Sequence, residues 1–181
     1  TLDERPERLI IIGGGFIGIE FADECRKGRD INITIVEILE HVLSLICDEK
    51  FCLRAENKLK DNGINIKAGD KVTEILGEES VEGVKLESGK EIKADQVILA
   101  TGVKPNTELA LKCGLDCDDK KGILVDQYMR TSNPDIFACG DCVEKPSIFG
   151  ENFEAARLAS IATNEGRVAG SNLFELRRKK Q

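Results

Sequence analysis

Leu9-Ile10-Ile11-Ile12-Gly13-Gly14-Gly15-Phe16-Ile17-Gly18-Ile19-Glu20 is the stretch whose reading decides the fold. Four apolar residues in a row, without alternation, fit a strand buried on both faces, as in a parallel sheet. Glycines follow at once in the pattern G-x-G-x-x-G, and Phe16 to Lys27 reads as a helix closing near Gly28. Alone the pattern is weak; its weight comes from following a strand, opening a helix and being trailed by an acid. Gly13 permits the tight strand-to-helix turn. Gly15 has no side chain, so a pyrophosphate can approach the backbone. Gly18 lets the helix pack closely, and the helix start offers free N–H groups and a positive dipole to phosphates.

Outward from this loop, Ile31 to Val36 alternates and is β-branched, a second strand that ends at Glu37, nineteen positions after Gly18. A carboxylate there can accept from both hydroxyls of an adenine ribose and would repel a 2′-phosphate, which favours NAD(H) over NADP(H). The same fingerprint suits FAD, and spacing alone does not separate the two. A helix is expected from an N-cap at Asp48 to Asn62-Gly63, then a third strand over Ile64 to Lys67. Val72 to Leu76, Val81 to Leu86 and Lys90 to Lys93 form short strands with Gly-bearing turns, an antiparallel meander rather than another βα unit. Val97-Ile98-Leu99-Ala100 returns to the buried-strand pattern. The expected fold class is α/β: a Rossmann-like, three-layer parallel sheet with a β-meander crossover.

Lys104-Pro105-Asn106 breaks the chain and a polar, Asp-rich stretch follows. Ile123-Leu124-Val125 and Ile136-Phe137-Ala138 read as short strands, and Glu154 to Leu176 as a long helix rich in small residues. The expected domains are 1–122, binding NAD(H), and 123–181.

The 181 residues carry a net charge of −7, which argues against a nucleic-acid surface. The basic cluster Arg177 to Lys180 reads as a helix end, where cations suit the dipole. No run of 18 apolar residues is present, so no membrane partner is expected. The chain starts at Thr1 without Met, and this start reads as a cut. Seven scattered cysteines fit a reducing cytoplasm better than a disulfide scaffold.

Few other residues carry chemistry. Glu20, expected in the first helix turn, is either an acid favoured by the dipole or a carboxylate beside a nicotinamide or flavin. Cys139-Gly140-Asp141-Cys142 contains C-x-x-C, but unpaired thiols around a tight turn explain it more simply than a redox pair or a metal site shared with Cys113 and Cys117. No metal is expected. Asp141, just after a strand-ending Gly140, can accept from a sugar-like hydroxyl. His41, the one histidine, reads as a surface-loop residue, and Cys25, Cys47 and Cys52 as small hydrophobes at helical positions.

In this order the motifs resemble the pyridine nucleotide–disulfide oxidoreductase superfamily, nearest its NADH oxidase, NADH peroxidase and coenzyme A-disulfide reductase group. Four segments carry the resemblance: Ile11 to Glu20; Ala100-Thr101-Gly102 with Pro105-Asn106; Val125-Asp126, Met129 to Ser132 and Ile136 to Asp141; and Leu158-Ala159 with Asn164 to Gly170. It implies that Gly13, Gly14, Gly15, Phe16, Ile17, Gly18, Glu37 and the Ala100-Thr101-Gly102 strand end bind NADH. It implies that Glu20, the catalytic candidate, sits near the nicotinamide–flavin contact. Gly140 and Asp141 would meet the ribityl chain of FAD, and the last helix would face the flavin with its N-terminus. Residues 123–181 would then be the C-terminal segment of an FAD-binding domain.

Departures accompany the likeness. The family's earlier glycine fingerprint for FAD, its N-terminal redox-active cysteine and its C-terminal dimerisation domain are absent, and Pro146 to Ala156 reads unlike the usual connection. An excised or truncated piece is expected, binding NADH and holding FAD weakly or not at all. The expected function is hydride delivery from NADH to FAD within an FAD-dependent NADH oxidoreductase; the alternative is an NADH-sensing module without turnover. Expected partners are NADH, FAD and an electron acceptor that the sequence does not name, with a homodimer as a candidate assembly.

Overall fold

The computed structural model describes residues 6–118, 120–145 and 157–175. The chain forms two compact units, Thr1–Gly102 and Val103–Gln181. Residues 103–122, grouped with the first domain on sequence pattern, cluster with the second unit.

The first unit runs β1 (Arg8–Ile12), α1 (Phe16–Arg26), β2 (Asn32–Val36), α2 (Glu49–Asp61), β3 (Ile64–Lys67), β4 (Val72–Leu76), β5 (Gly83–Leu86), β6 (Glu91–Lys93) and β7 (Gln96–Leu99). Four strands make a parallel sheet in the order β3-β2-β1-β7, with Ile11 opposite Ile35 on one side and Ile98 on the other. The period of two then sorts side chains into layers. Leu9, Ile11, Ile33 and Ile35 join Ala22 and Cys25 of α1 and Leu59 of α2 in one core. Ile10 and Val36 turn to the opposite face and pack with Val84, Leu86 and Ala94 of the meander region. Helices, parallel sheet and an antiparallel β4-β5-β6 sheet are therefore the three layers, as the sequence pattern predicts. Burial of each such aliphatic side chain contributes about 1.5–3 kcal/mol.

The second unit holds α3 (Glu108–Lys112), β8 (Cys117–Asp118), β9 (Gly122–Ile123), a 3₁₀ turn (Gly140–Cys142) and α4 (Ala159–Ser171). Its core gathers Ala110, Leu115, Ile123, Met129, Val143, Val168 and Ala169.

Several expectations need correction. β7 is an edge strand, not a buried one: among the described residues β1 is its sole neighbour in the sheet, and Leu99 is 66% exposed. The strand expected over Ile123 to Val125 shrinks to Gly122–Ile123, and Ile136 to Ala138 contributes one isolated bridge, Arg130 to Phe137. The last helix starts at Ala159, because Leu158 is extended, and ends at Ser171, short of the expected Leu176, with Asn172 as its C-cap; its expected start at Glu154 lies outside the described residues, as do Leu176, Arg177 to Lys180 and the connection 146–156. Cys47 sits in a bend before α2 rather than in a helix. Asp48 is the N-cap of α2 as expected, but its side chain makes no capping bond; its carbonyl accepts from Phe51 and Cys52.

Candidate functional site

Since β1, β2 and β7 are parallel, their carboxyl ends share one edge of the sheet. β1 is followed on one side by β2 and on the other by β7, so the strand order reverses at β1, the place where open α/β sheets bind ligands. Gly13, Glu37 and Ala100 each follow one of these strand ends directly.

The glycines meet different constraints. Gly13 has φ 109°, donates to the carbonyl of Val36 at 2.8 Å, and any Cβ on it would run into the carbonyl of Ala100. A Cβ on Gly18 would strike the Gly13 carbonyl, so this glycine lets α1 close on the loop itself. At Gly15, the N-cap of α1, a Cβ would meet no atom within 4 Å, and the residue is exposed. Bare backbone there faces open space at a helix N-terminus, whose first N–H groups have no partner within the helix. Phe16 and Ile17 are exposed beside it, at 61% and 49%.

Glu37 is 8% exposed and turned toward the loop. Its Oε2 accepts the Gly14 N–H at 2.5 Å and its Oε1 accepts the Leu39 N–H at 2.9 Å. A carboxylate has about four acceptor positions, so two remain for hydroxyl donors.

The segment after Glu37 packs on the loop, which sequence reasoning missed. Leu43 donates to the Gly14 carbonyl at 2.9 Å, and Val42 is fully buried with Cγ1 2.8 Å from where a Gly14 Cβ would stand. His41 lies in the loop after β2, as expected, but it is half-buried rather than free at the surface: its side chain is 25% exposed and Nδ1 lies 3.1 Å from Oε1 of Glu56 on α2. Burial of Glu56, an acid within a polar helix, has no signature in the local pattern.

Ala100 meets Gly13, while Thr101 and Gly102 leave the strand end exposed. Glu20 is exposed on α1 but past its first turn, which holds no acid, so the helix-start reading of this residue fails.

In the second unit Gly140, at φ 83°, opens the 3₁₀ turn. Its N–H donates to Oε2 of Glu165 at 2.9 Å, its carbonyl accepts from Nζ of Lys145 at 2.5 Å, and Lys145 and Glu165 pair at 2.5 Å. Both partners of that pair are buried. Asp141 is exposed, with its carbonyl accepting from Arg157 at 3.2 Å. Cys25, Cys47, Cys52, Cys113, Cys139 and Cys142 are free thiols, and burial pushes the Cys142 thiol up from its ordinary value. Among the described residues no cluster of three or more His, Cys, Asp or Glu is set to hold a metal, and no helix is long and apolar enough to cross a membrane.

A parallel sheet with its order reversed at β1, a glycine turn and an acid just past the end of the next strand define a Rossmann-like α/β protein. The chain belongs to the pyridine nucleotide-disulphide oxidoreductase family, whose sequence model matches residues 1–166. It is 35% identical to an NADH oxidase of Enterococcus faecalis over 93% of its own length and 38% of the relative's. It is similar to an NAD-dependent persulfide reductase from A. fulgidus (TM-score 0.92, 36% identity, 98% of this chain, 32% of that one). It is also similar to a water-forming NADH oxidase from Lactobacillus brevis bound to NADH (TM-score 0.89, 29% identity, 98% and 39%). The chain thus spans well under half the length of these relatives.

Proposed function

We propose that this chain is the NADH-binding portion of an FAD-dependent NADH oxidoreductase. The observation that carries the reading is the Glu37 carboxylate, buried and bonded to Gly14, next to a Gly15 backbone that nothing covers. Gly13 to Gly18 would hold the diphosphate at the start of α1, with Phe16 and Ile17 bordering it. Glu37 would accept the ribose hydroxyls, and the Ala100-Thr101-Gly102 strand end would flank the cofactor across β1. A 2′-phosphate would have to stand against the Glu37 carboxylate, so NADH is preferred to NADPH.

The second unit would supply the C-terminal segment of the flavin domain. Gly140 and Asp141 fit a ribityl chain, since the turn is pinned through its backbone and the Asp141 carboxylate is exposed. Glu20 would stand near the nicotinamide–flavin contact as the catalytic candidate. When both cofactors are bound, NADH supplies a hydride and FAD accepts it; the residues here bind and orient them. The relatives' names share NADH or NAD and differ in product or acceptor, so oxidation of NADH is the shared step and the acceptor lies beyond it. Cysteines scattered along the chain, six of them free thiols, support work in the cytoplasm, and a homodimer is the candidate assembly of the complete protein.

Gly15→Val tests the cradle. Because its Cβ would meet no protein atom, the variant is expected to fold, losing no more than about 1 kcal/mol at the helix N-cap, and to lose nearly all NADH affinity by calorimetry. Unchanged affinity would overturn the assignment.

A further inference from the structure

Glu56 lies on α2, is 6% exposed, and takes no part in the cradle described so far. Its Oε1 lies 3.1 Å from His41 Nδ1 and accepts the Val42 N–H at 3.3 Å, while Oε2 stands 3.5 Å from Nζ of Lys60. Glu49 approaches the other nitrogen of His41 at 3.9 Å. From this anchor the contacts run to the glycine loop. Val42 packs on Gly14, and Leu43 is held at φ 62°, a left-handed conformation that a non-glycine residue keeps only where its surroundings impose it. In that conformation its N–H reaches the Gly14 carbonyl. Gly14 is therefore gripped at both backbone polar groups: the N–H by Glu37, the carbonyl by Leu43. Only the first grip comes from the acid of the fingerprint.

We propose that Glu56 is a positioning residue for the nucleotide site, holding residues 41–43 so that Leu43 and Val42 fix Gly14 and with it the bare backbone at Gly15. This rests on the reading of the first unit as NADH-binding. A buried carboxylate is suited to the task because it offers acceptors to a segment whose N–H would otherwise be buried without a partner. Glu56 touches no nucleotide itself; it acts through the loop.

The test compares Glu56→Gln with Glu56→Leu in the full chain, with NADH and ADP as probes. Gln keeps an acceptor oxygen for Val42, so NADH affinity is expected to stay within about threefold; Leu keeps the volume and removes the acceptor, and is expected to weaken NADH by about tenfold or more. ADP should weaken by the same factor, since Gly14 lies at the diphosphate end. A folded Leu variant that binds NADH as the unaltered chain does overturns the proposal, and so does equal loss in both variants. Amide hydrogen exchange on the unaltered chain decides the matter even if the Leu variant does not fold: NADH should slow exchange at Val42 and Leu43, and an unchanged rate overturns the positioning role. If the unaltered chain fails to bind NADH, the nucleotide reading falls and this one with it. If it binds and only the Glu56 results fail, the cradle stands and the positioning role alone is lost.

Discussion

Two glycine turns, one in each unit, are each held by a buried carboxylate, and they are held differently. At the first, Glu37 accepts the N–H of Gly14 and of Leu39, both from backbone. At the second, Glu165 accepts the N–H of Gly140 while also paired at 2.5 Å with Lys145, whose ammonium reaches back to the Gly140 carbonyl. A carboxylate bonded to neutral backbone donors has no counter-charge beside it and keeps spare acceptor positions for a ligand. One bonded to a buried ammonium has its charge balanced inside the protein and serves to fix the turn. The difference separates a ligand-facing acid from a scaffolding one, although both sit beside a glycine.

The largest expected effect breaks the second turn. Glu165→Leu leaves Lys145 buried without its counter-charge, and removal of one partner from a buried ion pair costs about 3–5 kcal/mol. Denaturant unfolding measures it. Lys145→Met in the same chain should recover most of the loss, since replacing both charges by apolar groups of similar volume is close to neutral. If the double variant is no better than the single one, the pair is not what holds the turn.

A smaller stability effect and a larger binding effect are expected at the first turn. Glu37→Ala strands two N–H donors and should lower stability by about 1–3 kcal/mol, less than Glu165→Leu. Its NADH affinity should fall at least tenfold by calorimetry, whereas Glu165→Leu, where folded, should leave NADH affinity unchanged. Equal stability losses with no change in NADH affinity would erase the distinction between the two acids.

The first turn was legible in the sequence and the second was only half so. Gly13, Gly15, Gly18 and Glu37 stand within one βαβ unit, where spacing in the chain maps directly onto spacing in the fold, and period-two burial in β1 and β2 follows from the same stretch. Gly140 and Asp141 were visible as a turn. The Glu165–Lys145 pair was not, because it joins residues twenty positions apart in the chain, and no local pattern marks a buried charge. Glu56 and the 41–43 segment escaped for the same reason. β7 misled in the opposite direction: its apolar run matches a central strand, and only the sheet order reveals it as an edge.

The smallest expected effect comes from a third carboxylate, one in contact with water. Asp95 accepts the N–H of Arg8 at 2.8 Å and pairs with its guanidinium at 2.5 Å, fastening the start of β1 to the end of the meander. That guanidinium, with the backbone donors beside it, holds the Asp95 carboxyl below its ordinary value. A carboxyl with a folded pKa below its unfolded one, near 3.9, adds stability above that pH, and the contribution fades as pH falls through the folded value. Being solvent-screened, the pair is expected to count for little. Asp95→Asn should therefore unfold slightly more easily than the unaltered chain at pH 7, with the gap narrowing as pH falls below about 5 and closing below the folded value when melting midpoints are followed against pH. A gap independent of pH would mean that Asp95 acts through the shape of its hydrogen bonds rather than its charge.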